Sequence, residues 1–94
     1  MTTDPSYTFS SSVRIFPQDG GWHYVAVPQK YSDELKPLAD RGLVAITATI
    51  GSSTWNTSLL PMGDGSQFIP LPGKVRSKGA IDVGALVEVS FVAR

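Results

Sequence analysis

Gly51-Ser52-Ser53-Thr54-Trp55-Asn56-Thr57-Ser58-Leu59-Leu60-Pro61-Met62-Gly63-Asp64-Gly65 is the stretch that decides how this chain is read. Thr54–Leu60 has the composition of a strand, and Gly51 interrupts the chain before it. Pro61–Ser66 supplies turn residues, with glycines free to take the positive φ angles a reversal needs. Gln67–Leu71 then returns as a strand, which Pro70 and Pro72 mark as short or as an edge, because proline gives no ladder donor. Immediately upstream, Leu43-Val44-Ala45-Ile46-Thr47-Ala48-Thr49-Ile50 is the clearest strand of the chain. Its Val44, Ile46, Ala48 and Ile50 fall on one face at period two.

Working outward, Tyr7–Phe16 alternates as well: Phe9, Ser11, Val13 and Ile15 share one face, and Thr8, Ser10, Ser12 and Arg14 the other. Pro17–Gly21 reads as a loop. Trp22–Val27, aromatic and β-branched, is expected to pair back on the first strand before Pro28 stops it. Ser32 is placed to cap a helix start, and Pro37 breaks the helical pattern after Lys36. Two helical turns are therefore expected, over Ser32–Lys36 and Pro37–Arg41, docked by Leu35 and Leu38. Gly73–Ala80 reads as a short helix or a loop, Val83-Gly84 as a turn, and Ala85–Ala93 as a last strand with Val87, Val89 and Phe91 inward.

The expectation is a mostly-β chain: a small barrel of about seven short strands with one or two short helical segments. Its 94 residues amount to one domain, 1–94, with Met1–Ser6 a frayed end. A chain of this length buries somewhat over ~60% of its unfolded surface, enough for one small core.

Composition excludes several classes of function. Eight basic residues balance eight acidic ones, so no net field draws nucleic acid or an anionic membrane. There is no cysteine, which removes disulfides, thiolate catalysis and zinc–sulfur sites. His23 is the single histidine, so a histidine-rich metal site is excluded, and no metal or cofactor is expected. No apolar run approaches the ~20 residues of a membrane span, and Met1–Ser12 is too polar for a signal peptide. The expected setting is the cytoplasm, away from membranes.

These features resemble the DUF1905 family, small bacterial β-barrel domains of unknown function. The likeness is carried by Phe9 and Val13, Trp22, Val27-Pro28, a helical segment near Leu35, and Val44-Ala45-Ile46 followed by Gly51. It continues through Ser58-Leu59-Leu60-Pro61, Gly63-Asp64-Gly65, Arg76 and Gly84. The resemblance implies a double-split β-barrel, a fold type shared with swapped-hairpin regulators of the AbrB and antitoxin kind. Some members of that family carry a second, helical domain, which is expected to be absent here or encoded elsewhere. One departure is visible: where the family pattern reads Gly-Asp before the last strand, this chain has Gly84-Ala85.

Candidate binding residues are few. Trp22 and Trp55 could stack a ligand ring, although covering a barrel end explains them as well. Asn56, beside Trp55, adds an amide. Lys74, Arg76 and Lys78 alternate: extended, they would share a face and bind an anion; in a helix they would fan out. Arg76 adds the planar fork suited to carboxylate or phosphate. Arg76, Lys74, Trp55 and Asn56 are therefore the candidate ligand-binding set. Gly63-Asp64-Gly65 reads as a tight turn, lacking the helix a phosphate loop requires. No serine has a histidine-and-acid set, and His23, Asp64 and Arg76 would form a catalytic group only if the fold brought them together.

The expected function is accordingly non-catalytic: a module that binds a small ligand or a partner protein. The alternative is a nucleic-acid-binding regulator acting through Lys74, Arg76 and Lys78. The neutral chain argues against it, because phosphate neutralisation supplies most of such affinity.

Overall fold

The structure is a computed structural model, describing residues 6–17 and 21–94. Seven strands form one curled sheet: β1 (Ser6–Ser12), β2 (Arg14–Ile15), β3 (His23–Ala26), β4 (Val44–Ile50), β5 (Ser53–Pro61), β6 (Gln67–Pro70) and β7 (Leu86–Ala93). Their order across the sheet is β1-β7-β4-β5-β6-β3-β2, with every pairing antiparallel. The two strands at the ends of this order, β1 and β2, are consecutive in the chain and separated only by Val13. The sheet therefore curls into a half-barrel, and the expected mostly-β, barrel-like architecture is what the chain builds.

Val13 is where the first predicted strand changes neighbours. Before it, Ser6–Ser12 pairs along β7; after it, Arg14 and Ile15 pair with Tyr24 and His23. The period-two reading fails at this break, since Val13 is buried but Ile15 is 43% exposed. Phe16 packs on the other face of the sheet from Val25, stacked on Tyr24 with ring centroids 4.2 Å apart and edge-on to Phe68. The Trp22–Val27 strand does pair back as expected, on the second half of the first strand alone.

The core faces inward from both halves of the barrel. β4 buries Val44, Ile46, Ala48 and Ile50 as its alternation predicts, and β7 buries Val89 and Phe91. Tyr7, Phe9 and Phe91 form an aromatic group, with Tyr7 stacked on Phe91 at 5.1 Å.

Two helices accompany the sheet. α1 (Gln29–Leu35) starts three residues earlier than expected, with Pro28 rather than Ser32 at its cap. The Pro28 carbonyl accepts the N–H groups of Tyr31 and Ser32, so Ser32 lies inside the helix and is buried. Lys36–Leu38 comes next as one 3₁₀ turn around Pro37. The expected second turn to Arg41 is instead a tight reversal: Asp40 and Leu43 exchange both backbone bonds, and Arg41 and Gly42 have φ of 55° and 82°. Leu35 docks as predicted, whereas Leu38 stands 60% exposed because the 3₁₀ turn rotates it outward. α2 (Gly73–Gly79) resolves the helix-or-loop alternative as a helix and anchors through buried Val75.

The expected frayed end falls largely on residues 1–5, and the tip of the first loop on residues 18–20; both lie outside the described residues. Among the described residues, no helix is long and apolar enough to cross a membrane.

Candidate functional site

The site begins with three residues, Pro70-Leu71-Pro72. β6 is a central strand, not an edge: it pairs with β3 on one side and with β5 on the other. Residues of an antiparallel strand point their N–H and C=O to alternate neighbours. Leu71 donates to the His23 carbonyl and Val27 donates to the Gln67 carbonyl, so residues 67, 69 and 71 face β3. Phe68 and Pro70 must then face β5. Phe68 pairs with Leu60, and continuing that register would set Pro70 against Ser58. Pro70 has no N–H to donate, and the β5–β6 ladder stops there.

The consequence is an open strand edge. Residues 53–59 of β5 pair with β4 alone, and on the other side meet no strand among the described residues. By the same alternation, Thr54, Asn56 and Ser58 turn their backbone groups to this edge. The chain meanwhile leaves β6 through Pro72 into α2, which lies alongside the start of β5. Between the β5 edge and α2 is an open cleft of about 1150 Å³.

Helical geometry decides which cations enter the cleft. Positions four apart in a helix share a face, and positions two apart point to nearly opposite sides. Lys74 and Lys78 accordingly both line the cleft, whereas Arg76 does not. Trp55 and Asn56 line it from the strand side and Val75 from the helix side; serine and threonine hydroxyls complete it. No carboxylate is among the described residues that line it. Asn56 accepts a bond from the Thr47 hydroxyl at 2.9 Å, which orients its amide. The Trp55 indole Nε1 is buried and has no acceptor among the described residues.

Three members of the candidate set, Lys74, Trp55 and Asn56, thus come together. Arg76 is turned to the opposite face of α2, where its Nε donates to the Leu71 carbonyl at 3.2 Å. There it lines a smaller pocket of about 320 Å³ with Trp22 and His23. The three basic residues fan out, as the helical alternative required. Trp55 packs against the core without a partner for its indole N–H among the described residues, whereas Trp22 is 57% exposed.

His23 and Arg76 share that pocket, but Asp64 does not join them. Asp64 sits in the β5–β6 turn, where the Ser66 hydroxyl and N–H both bond its carboxylate and hold its pKa below the ordinary value. It lines neither pocket. Among the described residues, no group of three or more histidine, aspartate or glutamate side chains could hold a metal ion.

The sequence model of one family, described as "Domain of unknown function (DUF1905)", matches residues 9–91. The chain belongs to the DUF1905 family. The match spans both walls of the cleft, β5 and α2, and Arg76 behind them. It also spans Gly84-Ala85. Here residue 85 acts through its backbone: the Ala85 carbonyl accepts from Val13 and its N–H donates to Asp82. No curated protein matches the sequence.

Proposed function

We propose that this DUF1905 chain is an interaction module that captures an acidic, extended segment of a partner protein in the cleft between β5 and α2. The observation that carries this reading is the open edge of β5 beside Lys74 and Lys78. An unpaired strand edge offers N–H and C=O groups at the spacing of a ladder, and an extended peptide satisfies them by adding as a strand. The length of β5 that lines the cleft suits an added strand of about five residues, at ~3.4 Å each. Two ammonium groups with no carboxylate among the described lining residues select negative charge.

The rest of the cleft supports the same reading. Trp55 and Val75 give the peptide an apolar wall, and Asn56 gives it an amide at the edge.

The test is a titration of the protein with a labelled acidic decapeptide, its basic counterpart, and an acidic version N-methylated at alternate residues. The acidic peptide is expected to bind, and to bind more weakly as salt rises. N-methylation, which removes ladder donors while keeping the charge, weakens it further. Reversing both lysines (K74E/K78E) is expected to lower affinity about tenfold or more. Equal binding of the basic peptide would overturn the reading, and indifference to N-methylation would remove strand addition from it.

A further inference from the structure

Arg76 is fixed on the far side of α2 in a way that prepares it for a ligand. Its Nε is occupied by the Leu71 carbonyl, while its two terminal nitrogens have no acceptor among the described residues. The side chain is half-buried, so the guanidinium is held in place rather than free in solvent. A planar cation presenting two donors matches a carboxylate bidentately.

The surroundings define what else the ligand carries. Trp22, the more exposed of the two tryptophans, stands at one wall with half-buried His23 next to it. Pro70, Leu71 and Pro72 supply apolar lining, and no carboxylate is among the described residues that line the pocket. An exposed indole beside an unpaired guanidinium is the pairing that holds a flat ring by its face and an acid group by its edge. The volume of about 320 Å³ lies at the small end of ligand pockets, which excludes a large molecule.

We propose that Trp22, His23 and Arg76 form a second binding site, separate from the β5 cleft, for a small aromatic carboxylate. The ring lies against Trp22 and the proline-rich lining. The carboxylate meets the terminal nitrogens of Arg76, and His23 contributes a further donor at the rim. Pro72 and Gly73 line both this pocket and the peptide cleft, so the two sites lie on opposite sides of one turn of chain.

Each site has its own tryptophan, and the chain has only these two, so the two indole N–H resonances report the sites separately. The experiment is an NMR titration of the ¹⁵N-labelled protein with benzoate, using benzyl alcohol as the neutral control. Benzoate is expected to shift the Trp22 indole saturably, with Trp55 moving less, and benzyl alcohol to bind at least tenfold more weakly. Arg76→Lys keeps the charge but loses the fork, and should weaken benzoate about tenfold. Because that variant also gives up the bond to Leu71, Trp22→Ala provides an independent arm at an exposed position. Read through the His23 ring resonances, it should weaken benzoate with the melting temperature unchanged. No saturable shift at Trp22, equal binding of benzyl alcohol, or wild-type affinity in either variant would overturn the proposal. None of these outcomes depends on whether acidic peptides bind at Trp55.

Discussion

Val13 donates its N–H to the carbonyl of Ala85 at 2.9 Å, and the neighbouring Gly84 N–H returns a bond to the Val13 carbonyl at 2.8 Å. This exchange ties the break between β1 and β2 to the turn before β7. It satisfies both backbone groups of a residue that belongs to neither strand. The side chain is 1% exposed, so backbone and side chain are both anchored at one point of the curled sheet.

Val13→Ala keeps both backbone bonds and removes two methyl groups from the core. The expected cost is about 2 kcal/mol, from lost apolar burial and the small cavity left behind. For a domain of this size that lowers the melting temperature by roughly 10 °C, measurable by thermal denaturation. A shift of only a degree or two would mean that the core collapses onto the gap.

Tyr7 makes stability fall at alkaline pH. Burial is the main cause that raises its pKa above 10.0, with the nearby Glu34 charge and Tyr31 adding to it. The unfolded chain therefore loses this proton first. The stabilisation is fully present below about pH 10 and is lost as pH rises through the folded-state value. Tyr7→Phe retains the stack on Phe91 and removes the ionisable group. In denaturant titrations at about pH 8 and about pH 11, the variant should lose less stability between the two than the parent does. Equal losses would assign the alkaline limb to other groups.

Much of the fold is legible in the sequence where pattern and structure share a period. Val44, Ile46, Ala48 and Ile50 alternate and are all buried, and the glycines around 51 and 63–65 mark the reversals that are found. The pattern stops predicting burial after Val13, because Ile15 lies in the short strand at the end of the sheet, where little covers its face. The start of α1 is misread for a similar reason: Ser32 has capping chemistry, but Pro28 already ends β3 and opens the helix.

The candidate site is legible as residues but not as places. Lys74, Trp55 and Asn56 announce themselves by chemistry, and only the helical form of 73–79 shows that Lys78 joins them while Arg76 leaves. The two prolines mark a short or edge strand by local pattern, and β6 is indeed short. Their effect falls instead on β5, whose edge is left open because Pro70 faces it. That depends on the parity of β6 between two neighbours, which no local pattern contains. The pocket at Trp22 has one sequence signal, a tryptophan directly after a glycine pair, but its partner Arg76 lies 54 positions away.

Ala80 carries strain that a glycine would remove. It ends α2 with φ 50° and ψ 46°, a left-handed conformation that disfavours any Cβ. Ala80→Gly removes that penalty, at the cost of a more flexible unfolded chain. The net expectation is a gain of roughly 0.5–1 kcal/mol, seen as a higher denaturation midpoint with an unchanged slope. A loss of stability would show that the Ala80 methyl makes contacts worth more than the strain.

Pro70 is the residue through which the open edge can be tested directly. If its missing N–H is what stops the β5–β6 ladder, Pro70→Val supplies a donor aimed at the Ser58 side of β5. The new amide is then expected to be protected from hydrogen exchange, because a ladder bond now covers it. Extending the ladder by even one pair occupies part of the edge that the acidic peptide would use, so peptide affinity should fall while Lys74 and Lys78 remain untouched. Protection of that amide with undiminished peptide binding would separate the cleft's charge from its strand edge, leaving the lysines as the sole determinant. An unprotected amide would mean instead that β6 diverges from β5 for reasons beyond the missing donor, with the path into α2 through Pro72 the next element to alter.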